Sequence, residues 1–138
     1  MNLAREAPFI SRYQLIMNKG VLIYDDDPEI LFVSGKILAK HNFNVQTRLR
    51  CDEIIKDIAA IKPDIILMDL WIPDMGGENA IGLMKKDSFC KNIPVIDFSA
   101  NSNIEQISRQ IQATGFIKKP FEIENLVKVV IDNTRDNF

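Results

Sequence analysis

The sequence is short of several features that mark broad classes of protein. Its 138 residues carry 17 lysines and arginines against 19 aspartates and glutamates, so the basic excess of a nucleic-acid-binding surface is missing. No apolar run approaches the roughly 18 residues of a membrane span. The N-terminal stretch is interrupted by charges and lacks the continuous apolar core of a secretory signal. We expect one cytoplasmic domain that contacts neither membrane nor nucleic acid directly.

Cysteine and histidine are also scarce. The two cysteines, Cys51 and Cys90, show no C-x-x-C spacing, which favours a reduced protein in which both thiols pack as small apolar residues. A disulfide or a metal site formed by this pair is the alternative. His41 is the only histidine and lies near the end of a predicted helix, where a capping or solvated role is expected.

Short apolar runs alternate with amphipathic stretches along the chain. Strands are predicted at residues 21–24, 43–47 (near an edge), 64–69, 93–100 and 116–119, and helices at 28–42, 52–61, 77–86, 103–113 and 122–136. This alternation predicts an α/β fold with a parallel sheet covered by helices on both faces. Ligands of such sheets bind beyond the carboxyl ends of the strands.

Charged or hydroxyl side chains stand at the carboxyl ends of four predicted strands. They are Asp25 and Asp26 after the first strand, Asp69 at the end of the third, Ser99 near the end of the fourth and Lys119 at the end of the fifth. Converging carboxylates repel one another unless a hard dication such as Mg²⁺, or Mn²⁺, joins them. Lys119 and Ser99 suit phosphoryl oxygens, and an attacking carboxylate would form an aspartyl phosphate.

Two further aspartates need separate explanations. Asp27 precedes Pro28 and is expected to cap the first helix, although a solvated turn could account for all three aspartates at 25–27. Asp97 lies inside the fourth strand, on the same side as Ser99. A buried carboxylate is costly, so it should be hydrogen-bonded, paired or protonated. It is either a satisfied structural group or an electrostatic influence on Ser99 or Lys119.

Four segments together resemble the response-regulator receiver domain, the phosphoacceptor module of two-component signalling. They are VLIYDDDPEI, DIILMDLWIPDMGG, IPVIDFSA and FIKKPF, in the order of the family. The resemblance implies a flavodoxin-like, doubly wound sheet of five strands in the order 2-1-3-4-5. It places the receiver at residues 19–138, after an extension at 1–18. This extension is either a short helix, or its first 16 residues lie upstream of a natural start at Met17. The chain is then a stand-alone receiver or a fragment of a longer regulator.

The resemblance also implies a role for each site residue. Asp69 would be phosphorylated, and Asp25 and Asp26 would hold the metal, with Asp26 the more direct ligand. The other implied roles are a metal-binding backbone carbonyl at Trp71, the switch hydroxyl at Ser99, the aromatic switch at Phe116, and a phosphate contact at Lys119 before a cis-proline at Pro120. Trp71 and Asn101 would line the phosphoryl group, and the loop Met75–Gly77 would let the third helix start near it.

The implied partners act in trans. Since His41 is the only histidine, the phosphoryl donor would be a histidine kinase or a histidine phosphotransfer protein. A surface of the fourth helix, fifth strand and fifth helix would bind a downstream protein, and the last helix is a candidate for homodimerisation. One alternative is a receiver-like interaction module that is never phosphorylated. The other is a phosphatase, which would need a second acid where Trp71 stands. The leading interpretation is a receiver with no enzymatic activity beyond its own phosphorylation and dephosphorylation.

Overall fold

Five strands and five helices alternate in the computed structural model, which describes residues 18–134. The strands are β1 (Gly20–Tyr24), β2 (Asn44–Arg48), β3 (Ile65–Met68), β4 (Val95–Ser99) and β5 (Gly115–Lys118). The helices are α1 (Pro28–Lys40), α2 (Ile54–Ile61), α3 (Gly77–Lys86), α4 (Ile104–Gln110) and α5 (Ile123–Thr134). The predicted extension at 1–18 lies outside the described residues, except for Asn18.

The strands form one parallel sheet in the order β2-β1-β3-β4-β5. The predicted α/β fold, strand order and edge position of β2 are therefore confirmed. Every residue of β3 and β4 is buried, and so is β1 after its first residue. Strands covered on both faces must be apolar along their whole length, which is why they appear in the sequence as continuous apolar runs.

An apolar cluster covers each face of the sheet. Alternate residues of β1 point to opposite faces: Val21 and Ile23 join the cluster with α1 and α5, whereas Leu22 and Tyr24 join the cluster with α2 and α3. No helix within residues 18–134 has the length and apolar character needed to cross a bilayer.

Both cysteines are free and buried in the cluster beneath α2 and α3, as predicted for small apolar side chains. Burial, the main cause, raises the pKa of the Cys51 thiol to about 11, so this thiol stays protonated at neutral pH.

Several helices and strands are shorter than predicted. The fourth helix ends at Gln110 rather than at 113, because Gln112 adopts a φ of 60° and the Ala113 N–H donates to the Ser108 carbonyl. The first helix ends at Lys40 rather than at 42, since Asn42 has a φ of 68°. Lys119 lies one residue beyond β5 rather than at its end. Apolar spacing alone does not reveal where a left-handed residue stops a helix.

Candidate functional site

Three carboxylates converge at one edge of the sheet. Asp25 directly follows β1 and Asp69 directly follows β3, and parallel pairing brings these two strand ends side by side. Carboxylate oxygens of Asp25, Asp26 and Asp69 all lie within 4.8 Å of one another. Asp25 and Asp69 are buried, whereas Asp26 is exposed. Such a cluster is unfavourable without a neighbouring cation.

Lys119 supplies a cation to this cluster. Its Nζ donates hydrogen bonds to Asp25 Oδ2 and, at 3.3 Å, to Asp69 Oδ2. The Lys119 side chain is 14% exposed, and its Nζ lies 4.9 Å from the centre of the Phe98 ring. The peptide bond between Lys119 and Pro120 is cis. The ammonium group therefore bridges the ends of β1 and β3 from a position just after β5.

The three consecutive aspartates occupy three different environments. Burial raises the pKa of Asp25, although the hydrogen bond from Lys119 and that from the Asp27 N–H oppose the shift. Asp27 Oδ1 accepts a hydrogen bond from the Glu29 N–H at 2.9 Å, which confirms its predicted role as the cap of α1. Within residues 18–134, no residue forms a hydrogen bond or ion pair with the Asp26 carboxylate.

Backbone groups of the loop after β3 and of the start of α3 lie close to Asp69. Asp69 Oδ1 accepts a hydrogen bond from the Trp71 N–H at 2.9 Å. A Cβ at Gly77 would lie 2.5 Å from the Asp69 carbonyl oxygen, so only glycine lets α3 start this close to Asp69. Gly76, the residue before α3, has a φ of +79°. The loop Met75–Gly77 thus has the close approach that its glycines predicted.

Asp97 is fully buried and both of its oxygens are satisfied. Oδ1 accepts a hydrogen bond from Ser99 Oγ at 2.8 Å, and Oδ2 accepts one from Ser108 Oγ at 2.9 Å. Burial raises the pKa of Asp97, whereas the two hydroxyl groups lower it. The prediction that Asp97 is hydrogen-bonded is confirmed. Ser108 was missed, although its position one helical turn after Ile104 marks the buried face of α4.

The carboxylate cluster has the donor set that a hard dication prefers. Three carboxylate groups supply oxygen ligands, and Asp26 keeps both of its oxygens unengaged by the described residues. Mg²⁺ and Mn²⁺ favour such ligands and often keep sites open for water or phosphate. The residues present therefore fit the predicted ion.

Comparison with known proteins decides the family. The model of the response regulator receiver domain matches residues 21–131. This chain belongs to the receiver domain family. The receiver domain is 30% identical over 117 residues to the nitrogen assimilation regulatory protein NtrX of Azorhizobium caulinodans, covering 82% of this chain and 25% of that protein. It is also 30% identical over 130 residues to hybrid signal transduction histidine kinase D of Dictyostelium discoideum, covering 92% of this chain and 8% of that protein. The chain thus spans a quarter or less of these curated relatives.

Solved receiver structures share the fold. Chemotaxis response regulator CheY4 of Vibrio cholerae superposes with a TM-score of 0.76 at 25% identity, over 83% of this chain and 98% of that one. The receiver domain of NtrX from Brucella abortus gives a TM-score of 0.75 at 24% identity, over 83% and 97% of the two chains. The flavodoxin-like architecture of the receiver is therefore shared along nearly the whole length of both known structures.

The side chains of four other predicted residues form no described hydrogen bond with the carboxylate cluster. Ser99 directs its hydrogen to Asp97 rather than to Asp69. The Trp71 side chain is 67% exposed and that of Phe116 is 37% exposed. The Asn101 side-chain oxygen accepts a hydrogen bond from the Asn103 N–H. The structure thus groups Asp25, Asp26, Asp69 and Lys119, whereas the predicted switch residue Ser99 bonds to Asp97 and the Phe116 ring is partly exposed.

Proposed function

We propose that Asp69 of this receiver domain accepts a phosphoryl group from the phosphohistidine of a histidine kinase or a histidine phosphotransfer protein. The observation that carries this proposal is the contact of Lys119 Nζ with both Asp25 and Asp69. In the reaction a bond forms between an Asp69 carboxylate oxygen and phosphorus, and the phosphorus–nitrogen bond breaks. Its electron pair stays on the imidazole, which takes up a proton from solvent.

The groups around Asp69 would neutralise the negative charge of the carboxylates and of the incoming phosphoryl group. The carboxylates of Asp25, Asp26 and Asp69, with the Trp71 backbone carbonyl, would hold Mg²⁺ or Mn²⁺. A bound ion would supply a Lewis acid that neutralises the carboxylates and the phosphoryl oxygens. The Lys119 ammonium would pair with a further phosphoryl oxygen. Because it already contacts Asp69, it needs little movement to do so.

The phosphohistidine must come from outside this receiver domain. His41 is the only histidine of the sequence, and its Nδ1 lies 2.9 Å from the Ile37 carbonyl oxygen at the far end of α1. That helix starts at Pro28, beside the carboxylate cluster, and its 13 residues span about 20 Å. His41 therefore lies near the amino ends of the strands, whereas Asp69 lies at their carboxyl ends.

The output would be a change of surface. A phosphoryl group on Asp69 would draw the Ser99 hydroxyl towards it, and the partly exposed Phe116 ring would then turn inward. Phe116 lies on β5, which packs beside α4 and α5. The resulting α4–β5–α5 surface would bind a downstream protein or a second receiver in the cytoplasm. The domain would have no enzymatic role beyond gaining and losing its own phosphoryl group.

Beryllofluoride with Mg²⁺, a phosphoryl mimic, tests the proposal. Titration should change the fluorescence of Trp71, the only tryptophan, and acetyl phosphate should add one phosphoryl group by mass. Both responses should disappear in Asp69→Asn and persist in Asp132→Asn, which alters an exposed aspartate of α5. If wild type gives neither response, or Asp69→Asn keeps both, the receiver is an interaction module that works without phosphorylation.

A further inference from the structure

Asp97 joins two hydroxyl groups that belong to different elements. Ser99 ends β4 and Ser108 lies on α4, and each donates a hydrogen bond to one oxygen of the same carboxylate, at 2.8 and 2.9 Å. All three side chains are buried. Water therefore has little access to replace either hydroxyl group as a donor.

The hydrogen of Ser99 has two competing acceptors. A hydroxyl group donates only one hydrogen bond, and here Asp97 Oδ1 receives it. The proposed function requires Ser99 to donate that hydrogen to a phosphoryl oxygen on Asp69. The exchange would leave a buried carboxylate oxygen without its donor, and this loss opposes the exchange.

We propose that Asp97 is a positioning residue that restrains Ser99 in the unphosphorylated receiver, and that Ser108 sets the strength of this restraint. The inference rests on the proposed roles of Asp69 and Ser99. When Ser99 leaves, the Asp97 carboxylate still accepts the hydrogen bond from the Ser108 hydroxyl, so one hydrogen-bond donor remains. Ser108 therefore makes the release of Ser99 easier, and α4 takes part in the switch before any partner binds.

Two variants should have opposite effects on affinity for beryllofluoride in the presence of Mg²⁺. Asp97→Leu removes both acceptor oxygens and keeps the branched shape of the side chain, so the hydroxyl of Ser99 is released and affinity should rise about tenfold. Ser108→Ala leaves Ser99 as the only described hydroxyl donor to Asp97. The restraint then tightens, and affinity should fall several-fold. A general loss of stability would weaken binding in both variants.

The titration can be read from Trp71, whose backbone N–H contacts Asp69. Ser34→Ala is the matched control, because Ser34 is also a buried serine in a helix but donates its hydrogen bond to the Ile30 carbonyl in α1. Its affinity should equal that of wild type. Chemical denaturation of each variant checks that the affinities refer to folded protein.

The pattern of affinities decides between the restraint and simpler effects. A gain in Asp97→Leu together with a loss in Ser108→Ala supports the restraint. A gain in Asp97→Leu with unchanged Ser108→Ala would show only the loss of a negative charge near Asp69, and overturns it. If Asp97→Leu does not fold, the affinity of Ser108→Ala is by itself sufficient to decide. An unchanged or raised affinity of that variant overturns the restraint. A wild type that responds through Asp69 while both variants match it refutes the restraint but not the proposed function; a wild type that does not respond refutes both.

Discussion

Replacing Lys119 by methionine should reveal how much the carboxylate cluster depends on its own cation. Lys119 contacts the fully buried Asp25 and the buried Asp69, whose side chain is 7% exposed. Removing one partner of a buried ion pair costs about 3–5 kcal/mol, since the other charge is left unpaired. We expect about 3 kcal/mol for Lys119→Met in metal-free buffer near pH 7, the lower end of that range, because the exposed Asp26 side of the cluster lets water approach. Methionine keeps most of the side-chain stem beside Phe98.

The loss should shrink as the pH falls. Burial already raises the pKa of Asp25 above its unfolded value of about 3.9, and the hydrogen bond from Lys119 limits that rise. Without Lys119 the folded-state pKa should rise further. A carboxyl group with a raised folded pKa binds its proton more readily in the native state, so stability increases as the pH falls through that pKa towards the unfolded value. Protonation removes the unpaired charge, and the deficit relative to wild type should be smaller near pH 5 than near pH 7.

Urea denaturation at the two pH values measures both effects, with Lys118→Met as the control. Lys118 is the adjacent lysine and is exposed, so its replacement should change the free energy of unfolding by less than about 0.5 kcal/mol. Equal losses in the two variants would refute the reasoning. A deficit of Lys119→Met that stays constant with pH would show that the lost stability does not come from an unpaired Asp25.

Two further predictions concern the loop after β3. Gly77→Ala should cost about 2 kcal/mol in urea denaturation, since its Cβ would meet the Asp69 carbonyl oxygen, whereas Gly82→Ala in the same helix, with no atom within 4 Å of the new Cβ, should gain about 0.5–1 kcal/mol. A loss in both variants would point to α3 itself rather than to the close approach. If the indole of Trp71 shields a phosphoryl group on Asp69 from attacking water, Trp71→Ala should shorten the half-life of the acyl phosphate a few-fold; an unchanged half-life would reject this role.

The fold could be predicted because burial on both faces leaves a strong mark in the sequence. β1 and β3 must be apolar throughout, and they stand out from the amphipathic helices around them. The end of α4 could not be predicted in the same way. Ile111 continues the apolar spacing of the helix, and only the left-handed conformation of Gln112 ends it.

Within the site, the residues at strand ends could be predicted and the contacts between other elements could not. Asp25, Asp69 and Lys119 could be grouped because parallel strands carry their ends to one edge. Nothing in the sequence links Asp97 to Ser108, 11 residues later on a helix, because serine is common on helices and forms many kinds of contact. The bridge that Arg50 makes between Asp52 and Asp74 was also missed, since it joins side chains of two loops. Contacts that depend on loop paths leave no periodic signal.

The bridge from Lys119 to Asp25 also has a consequence for synthesis of the chain. The two residues are 94 positions apart. At about 5–20 residues per second, a ribosome needs roughly 5 to 20 s to add Lys119 after Asp25. In the later part of that interval, once Asp69 has been added, β1 and β3 can pair, yet the carboxylates at their ends lack the ammonium group. A nascent chain stalled before β5 should therefore be more sensitive to protease than the finished domain.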